Sequence, residues 1–479
     1  MIWQRRFTVS YNPKAQIVSS LDAITRKYRI DPSQYYAETE LIIRLCKTHG
    51  IKMLPLNETG HLKEAYLPNR FTRLYTKEIK LGVPMIGTSS MLNLRLPQDM
   101  RIFLRNIRNA DKLYINDGDI LVSRSGTVGT CVLCGKSYKG FVASDDCIRL
   151  RISSDLQGYV AAYLKSQYGH ALITRDAHGK VIKHLKPDDL ENLQIMMFDE
   201  KSVTEINDQM LRSKNLYDDS RQLLSEIDSL LDECLGHIIP ELQPESNYNI
   251  IAATALRMNR LDPHMYDSYS NYLLTEIVRY GSIPLEDIAV PWVVPRFKRN
   301  YLDEKNPNAA PLFSSSDIVR ANFSASKFIS KKLNARNISL CKVEKDYILI
   351  PCSGAYGGIL GKGILAGTLL DGKAMSQHVL RIKERPDNKS MDFFYVAAFL
   401  CSYKFGYPLI TATRFGKDIP ELDPEALKSI PIPNIPQELQ VRIGTMFKRA
   451  RSLQEDANSL ENAAILAIER LYESTVASN

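Results

Sequence analysis

The sequence has no apolar run that could cross a membrane and no disulfide framework. Its apolar stretches fall well short of the roughly 18 residues that a spanning helix needs. The first residues, 1–6, have no apolar core after their charges, so a secretory signal is not expected. Eight cysteines are scattered over 479 residues, which favours a reducing compartment. We therefore predict a cytoplasmic protein without a membrane partner, and the net charge of +8 permits a polyanionic one.

The sequence also lacks the motifs of several enzyme classes. It contains neither the Asn/Asp-Pro-Pro-aromatic tetrapeptide of amino-methyltransferases nor an acidic-lysine nuclease cluster. Segment 129–137 is one residue too long for a phosphate loop, and segment 367–374 ends in alanine where a magnesium-binding hydroxyl belongs. Cys131 and Cys134 have no second cysteine pair at zinc spacing. These absences predict a protein with no enzymatic activity, no metal and no cofactor of its own.

An internal repeat is what the sequence does contain. Near-identical segments return in the same order, and the pairs in the latter part of each half share one constant separation. The repeated pairs are 29–32 with 260–263, 120–129 with 348–357, 159–164 with 395–400, 172–174 with 409–411 and 179–180 with 416–417. A period this long excludes a solenoid. It predicts two similar domains in one polypeptide.

Each half reads as a mixed α/β unit that is followed by a long amphipathic helix. The strand signals are short β-rich runs bounded by turn residues. They lie at residues 119–122, 131–134 and 147–152, and at 347–350, 363–366 and 378–382. The predicted fold class is therefore mixed α/β, with two similar domains separated by two long antiparallel coiled-coil helices.

The long helices are predicted from apolar residues that step by alternating threes and fours, as in a coiled-coil seam. Small residues alternate with leucines in both seams, which favours close antiparallel packing of one helix on the other. A helix of about 34 residues spans about 50 Å. Ser202 with Glu205, and Asn434 with Pro436, are the predicted start signals. The predicted inter-helix packing residues are Leu216, Leu223, Ile227, Leu453, Ala457 and Leu460.

These patterns divide the chain into four parts. The predicted parts are a first domain at 1–199, a central spacer helix at 200–236, a second domain at 237–433 and a C-terminal spacer helix at 434–475.

In this order, the elements resemble the specificity subunit of type I restriction-modification systems. The resemblance covers roughly residues 15–475. It depends on the strand and turn 118–129, on 182–193, on the Arg-Leu-Asp-Pro opening at 260–263, and on 430–433 before the last helix. It implies two target-recognition domains that each read half of a split site in double-stranded DNA. It also implies a subunit without catalysis that docks two adenine-methyltransferase subunits, which bind S-adenosylmethionine, and a restriction or phage-defence translocase.

Basic residues in turns are the predicted DNA contacts, since guanidinium groups bind phosphate or pair with guanine. The turns 68–73 and 295–299 are equivalent in the two halves, and so are 175–180 and 412–417; the resemblance points to the second pair. For each single residue a solvated surface charge is the alternative, and for Arg124 a structural role in its turn. The candidates are Arg70, Arg73, Arg124, Arg175, His178, Lys180, Lys183, Arg296, Lys298, Arg299, Arg414 and Lys417.

A second function is compatible with the same pattern. A structural adaptor could join proteins through its coiled coil and bind other proteins through its α/β domains. Paired basic turns at equivalent positions favour DNA recognition, because an adaptor has no need of them.

Overall fold

The computed structural model describes residues 37–76, 80–105, 107–175, 184–236, 262–416 and 418–478. Within these ranges no helix is both long enough and apolar enough to span a bilayer. The α-helices are α1 Ala37–Thr48, α2 Ser154–Lys165, α3 Gln167–Arg175, α4 Pro187–Glu191, α5 Glu200–Leu235, α6 Ser268–Tyr280, α7 Leu285–Ile288, α8 Ser315–Ile318, α9 Ala335–Cys341, α10 Phe393–Leu400, α11 Gly406–Ala412, α12 Pro424–Lys428 and α13 Gln437–Ala477.

The strands are short and are distributed through both halves. They are β1 Lys52–Pro55, β2 Leu62–Tyr66, β3 Tyr75–Thr76, β4 Val83–Ile86, β5 Arg101–Ile102, β6 Ile120–Ser123, β7 Cys131–Leu133, β8 Val142–Ala143, β9 Cys147–Ile152, β10 Gln194–Met197, β11 Ser282–Pro284, β12 Ala289–Trp292, β13 Ala309–Leu312, β14 Lys327–Ser330, β15 Ile348–Pro351, β16 Ile364–Leu365, β17 Val379–Glu384, β18 Arg414–Phe415, β19 Glu421–Leu422 and β20 Pro431–Pro433. The predicted mixture of helices and strands is confirmed, and each predicted strand lies within one residue or two of an observed one.

Each half is built around a four-stranded antiparallel sheet. The strand order is β2-β9-β6-β7 in the first half and β12-β17-β15-β16 in the second. Every residue of β6 and β15 is buried. In β6, Ile120 packs in one apolar cluster with Tyr159 of α2, while Leu121 packs on the other face in a separate cluster with Tyr138. Because both faces are covered, these strands read as continuous apolar runs and not as an alternation.

In each half, the last strand before the long helix pairs with a strand from the beginning of that half. Strand β1 pairs antiparallel with β10, and β11 pairs antiparallel with β20. The outer strands distinguish the two halves. The first half has a further sheet of order β3-β5-β4-β8, whereas the second has the hairpin β13-β14.

Helices α5 and α13 pack against each other in antiparallel orientation. Ser213 Oγ donates to the carbonyl of Ala457 at 2.8 Å. Ser220 Oγ donates to the carbonyl of Ala450, also at 2.8 Å. The residue numbers rise along one helix as they fall along the other. At about 1.5 Å per residue the two helices are roughly 55 and 60 Å long.

The start of each long helix differs from the prediction. The N-cap of α5 is Asp199, whose carboxylate accepts the Ser202 N–H at 3.0 Å, so the predicted box of Ser202 with Glu205 is wrong. An aspartate before the helix reaches the unpaired N–H groups of the first turn more directly. The other helix begins at Gln437, with Pro436 at its N-cap and not within the first turn.

The predicted packing residues fall into a buried group and a half-buried group. Ile227, Leu453 and Ala457 are buried. Leu216, Leu223 and Leu460 are half-buried. On α5, Tyr217 and Leu224 are more enclosed than Leu216 and Leu223, the predicted residues that precede them.

The two halves also contact each other directly, through the loops 92–94 and 319–321. The N–H of Leu94 donates to the carbonyl of Val319 at 3.1 Å. The N–H of Ala321 donates to the carbonyl of Leu92 at 2.7 Å. Exchanging the two halves exchanges these two bonds. It also exchanges the residue pairs Ser213–Ala457 and Ser220–Ala450, although both serine donors lie on α5. The contacts therefore follow an approximate two-fold relation.

Each domain also binds the long helix of the opposite half. Lys165 of the first domain forms an ion pair with Glu461 of α13. In the second domain, Lys404 Nζ lies 2.6 Å from Asp232 Oδ1 of α5. Domains and helices thus form one connected framework.

Candidate nucleic-acid interface

The segments weighed as phosphate loops bind the protein's own carboxylates. Asp218 of α5 accepts the backbone N–H groups of Lys136 at 2.6 Å and Ser137 at 3.2 Å. Glu455 of α13 accepts the N–H groups of Thr368 at 3.0 Å and Leu369 at 2.8 Å. The donors that would bind a phosphate are therefore occupied, and each turn is fastened to the long helix that follows its domain.

The cysteines weighed as zinc ligands are buried in and beside β7. Burial raises the pKa of Cys131 to about 11, so the free thiol keeps its proton at physiological pH. Among the described residues no group of three or more potential metal ligands comes together.

In the second half, two of the predicted loops meet around a cleft of about 450 Å³. Arg296 extends from the loop 295–299, with its side chain 72% exposed, and its Nη2 lies 2.5 Å from Glu421 of strand β19. Phe415 of strand β18 lines the same cleft and is 39% exposed. The structure therefore brings together a cation, a carboxylate and an aromatic ring in one surface depression.

The other cations of the loop 295–299 lie at the surface beside this cleft. Lys298 is exposed. The Arg299 guanidinium carbon lies 5.7 Å from the centre of the Tyr301 ring, and Lys327 Nζ lies 6.0 Å from the same ring. An exposed aromatic ring between two cations is a surface that can accept both phosphate and a stacked base.

Arg414 is held within its own domain. Its guanidinium donates to the carbonyl of Thr411 at 2.7 Å and contacts His264 Nδ1 at 2.8 Å. It lies 4.1 Å from the centre of the Tyr356 ring, and burial lowers its pKa. These contacts fix the hairpin β18-β19. Its neighbour Lys417 lies outside the described residues.

Of the four predicted cations of the first half that lie within the described residues, three are paired with carboxylates. Arg73 Nη2 lies 2.5 Å from Asp145 Oδ1, and Arg124 Nη1 lies 3.7 Å from Asp146 Oδ1. Arg70 is exposed. Other predicted residues of this half are Arg175, whose Nη1 lies 3.9 Å from Glu40 Oε1, and His178, Lys180 and Lys183, which lie outside the described residues.

Each half contains one buried arginine at an equivalent position. The sequence analysis did not single out either of them. Arg149 and Arg381 are both 0% exposed. The Arg149 guanidinium donates to four backbone carbonyls, those of Leu113, Ala143, Ser144 and Cys147. Arg381 donates to those of Cys341, Met375, Ser376 and Val379. Within the described residues no carboxylate forms an ion pair with either arginine.

Each buried arginine supports a turn with the same hydrogen bonds in both halves. The Asp146 N–H donates to Ser144 Oγ at 3.4 Å, and the Asp146 carbonyl accepts the Arg124 N–H at 2.9 Å. Equivalent bonds link His378 to Ser376 Oγ at 3.3 Å and to the Cys352 N–H at 2.9 Å. In the sequence, each of these arginines follows a serine by five residues. The same spacing also occurs at Ser90–Arg95 and Ser315–Arg320, so it is a weak signal by itself.

The two turns differ in the two residues that follow the serine. They are Asp145 and Asp146 in the first half, and Gln377 and His378 in the second. Burial lowers the pKa of His378, and the charge of Arg299 acts in the same direction, so the imidazole is neutral at physiological pH. The first turn carries carboxylates between arginines, whereas the second carries neutral polar groups among cations.

Comparisons with known proteins gave structural similarity only. The chain matches no protein-family model, and no curated protein is significantly similar to it in sequence. The S subunit of a type I restriction-modification system from M. genitalium is similar over 89% of this chain and 96% of its own, with 15% identity and a TM-score of 0.33. The HsdS subunit from Thermoanaerobacter tengcongensis is similar over 89% of this chain and 95% of its own, with 13% identity and a TM-score of 0.25.

Proposed function

We propose that this chain is the DNA-recognition subunit of a type I restriction-modification system. In this role it has no catalytic activity. It directs two adenine-methyltransferase subunits, and a restriction or phage-defence translocase, to a split site in double-stranded DNA. Residues 1–199 and 237–433 are the recognition domains, and residues 200–236 and 434–475 are the spacer helices.

The observation that carries the proposal is the exchange of hydrogen bonds between the halves. The two backbone bonds between the loops 92–94 and 319–321 are exchanged with each other. The residue pairs Ser213–Ala457 and Ser220–Ala450, which link the long helices, are related in the same way. A protein with two similar domains related in this way can present equivalent surfaces to the two halves of a duplex, which has local two-fold symmetry itself.

The surface of the second domain supports the same proposal. Arg296 and Lys298 are exposed, and they lie next to a cleft that contains Phe415. Exposed cations bind phosphates, and polar groups between them can reach base edges. An adaptor for proteins would not require cations to be gathered beside such a cleft.

Binding of the full chain to a pool of random duplexes should weaken steeply as salt rises. A protein that neutralises 6–10 phosphates loses roughly 10³–10⁵-fold in affinity between about 50 and 200 mM salt. We expect Arg296→Ala with Lys298→Ala to lower the slope of log affinity against log salt by about one for each phosphate that the variant no longer neutralises. The measurement is a mobility-shift titration at several salt concentrations.

The matched control is Lys345→Ala with Lys389→Ala, which removes two exposed cations of the same half that do not line the cleft. It should leave the slope unchanged. Duplex binding too weak to detect at low salt would contradict DNA recognition and would favour the protein adaptor.

A further inference from the structure

The turns after Ser144 and Ser376 combine a shared backbone with different side chains. Both are supported by a buried arginine, and both make the same two backbone hydrogen bonds. The framework is therefore the same in the two domains. The residues that differ, 145–146 and 377–378, are consequently not needed in either form for the turn to fold.

In the first domain the turn presents one hydrogen-bond acceptor, Asp146, and its neighbour Asp145 holds Arg73 beside it. Asp145 is buried and is bound by Arg73. The Asp146 side chain is 34% exposed, and Ser125 Oγ donates to its Oδ1 at 3.3 Å. A carboxylate can only accept, so this turn matches bases that donate in the major groove, the amino groups of cytosine and adenine.

In the second domain the turn presents a donor of fixed direction. The backbone N–H of Phe297 donates to Gln377 Oε1 at 3.0 Å. That bond assigns the oxygen, so the amide nitrogen of Gln377 is directed elsewhere as a donor. Gln377 and His378 both line the cleft with Arg296. Donors at this position match the N7 and O6 acceptors of purines.

We propose that residues 145–146 and 377–378 determine which bases the first and second domains read. This inference rests on the proposed function. It assigns an amino-bearing base to the first domain and a purine acceptor to the second, at equivalent places in the two half-sites. The cations of the flanking loops supply affinity, while these two dipeptides supply the choice of sequence.

The test is selection of bound duplexes from a random double-stranded pool by the full chain, followed by sequencing. One variant combines Asp145→Gln with Asp146→His, and its reciprocal combines Gln377→Asp with His378→Asp. Each should change the preferred base at one or two positions of a single block, and the original base should lose about tenfold or more of its preference. The other block should stay as it is in the wild-type chain.

Asp146→Asn is a milder variant that keeps the shape of the side chain while turning one acceptor into a donor. Thermal unfolding identifies any variant that does not fold, and Asp111→Gln, at an exposed acid of the first half, controls for loss of charge. Folded variants that select the wild-type sequence unchanged would overturn the assignment. Equal weakening at every position of both blocks would overturn it too. A wild-type chain that selects no sequence at all would instead refute DNA recognition itself.

Discussion

Arg149→Met should unfold the first domain. The arginine is wholly buried, and its guanidinium provides the donors for four backbone carbonyls. A buried acceptor left without a donor costs about 1–3 kcal/mol. The Ser144 carbonyl also accepts the Cys147 N–H at 3.2 Å, so up to three carbonyls lose their donor. Three of them together are comparable with the whole stability of a typical domain, about 5–15 kcal/mol. Lysine should not rescue the loss, because a single ammonium cannot reproduce the planar fork.

Lys112→Met is the control in the same half. Its side chain is 60% exposed and its partner Glu64 is 39% exposed, so water can solvate the groups that this change leaves unpaired. Thermal unfolding with limited proteolysis would compare the two. Arg149→Met should expose the first half to protease, and Arg381→Met should expose the second. Equal unfolding midpoints for the Arg149 and Lys112 variants would show that the buried guanidinium of Arg149 is unimportant for stability.

Lys165→Met should be the second most damaging change. Glu461 has a side chain that is 3% exposed, and its partners are Lys165 and the hydroxyl of Tyr217, which donates to Oε2 at 2.8 Å. Burial raises the pKa of Glu461, but the charge and hydrogen bond of Lys165, together with hydrogen bonds from Tyr217 and Asn322, outweigh it and hold the pKa below its usual value. Removing the lysine leaves a buried charge unpaired, which costs about 3–5 kcal/mol.

The second half already contains an apolar version of this pair. The positions equivalent to Lys165 and Glu461 are Cys401 and Leu224, both buried. Adding Glu461→Leu to Lys165→Met should therefore restore most of the lost stability, since an apolar pair of similar volume is often as stable as a buried ion pair. The measurement is chemical denaturation of both variants.

The control for that cycle is Lys214→Met. Lys214 pairs with Asp117, whose side chain is 41% exposed, so its loss should cost less than about 1 kcal/mol. A double variant less stable than Lys165→Met would contradict the explanation from an unpaired buried charge.

The sequence predicted the parts of the fold that depend on local pattern. The apolar runs at Ile120 and Ile348 are strands, and the three-four stepping predicted both long helices. The cap at Asp199 was missed because a serine and a glutamate three residues apart offered an equally good local signal. The burial of each α5 side chain depends on how the two packed helices twist around each other. A strict heptad pattern in the sequence does not specify that twist.

The candidate interface was less predictable, because its contacts are distant in sequence. Arg73 is a predicted DNA contact, but its guanidinium pairs with Asp145, which lies in the connection between β8 and β9. Arg149 and Arg151 alternate on one strand and look equivalent in sequence. The loop that contains Leu113 covers Arg149 and buries it, whereas Arg151 stays partly exposed at the surface.

The most direct test of DNA recognition by two halves is the methylated sequence in a host that carries this chain with the methyltransferase subunits that we propose as its partners. Antiparallel helices that relate two reading domains should place the half-site centres about a helical turn apart, on the order of 10 bp. We expect two short defined blocks separated by a fixed stretch of unspecified bases. The target should not be palindromic, because the turns 145–146 and 377–378 differ. Exchanging residues 250–430 for the matching domain of a relative should change one block only. A single uninterrupted block, or a chimera that alters both blocks, would contradict it.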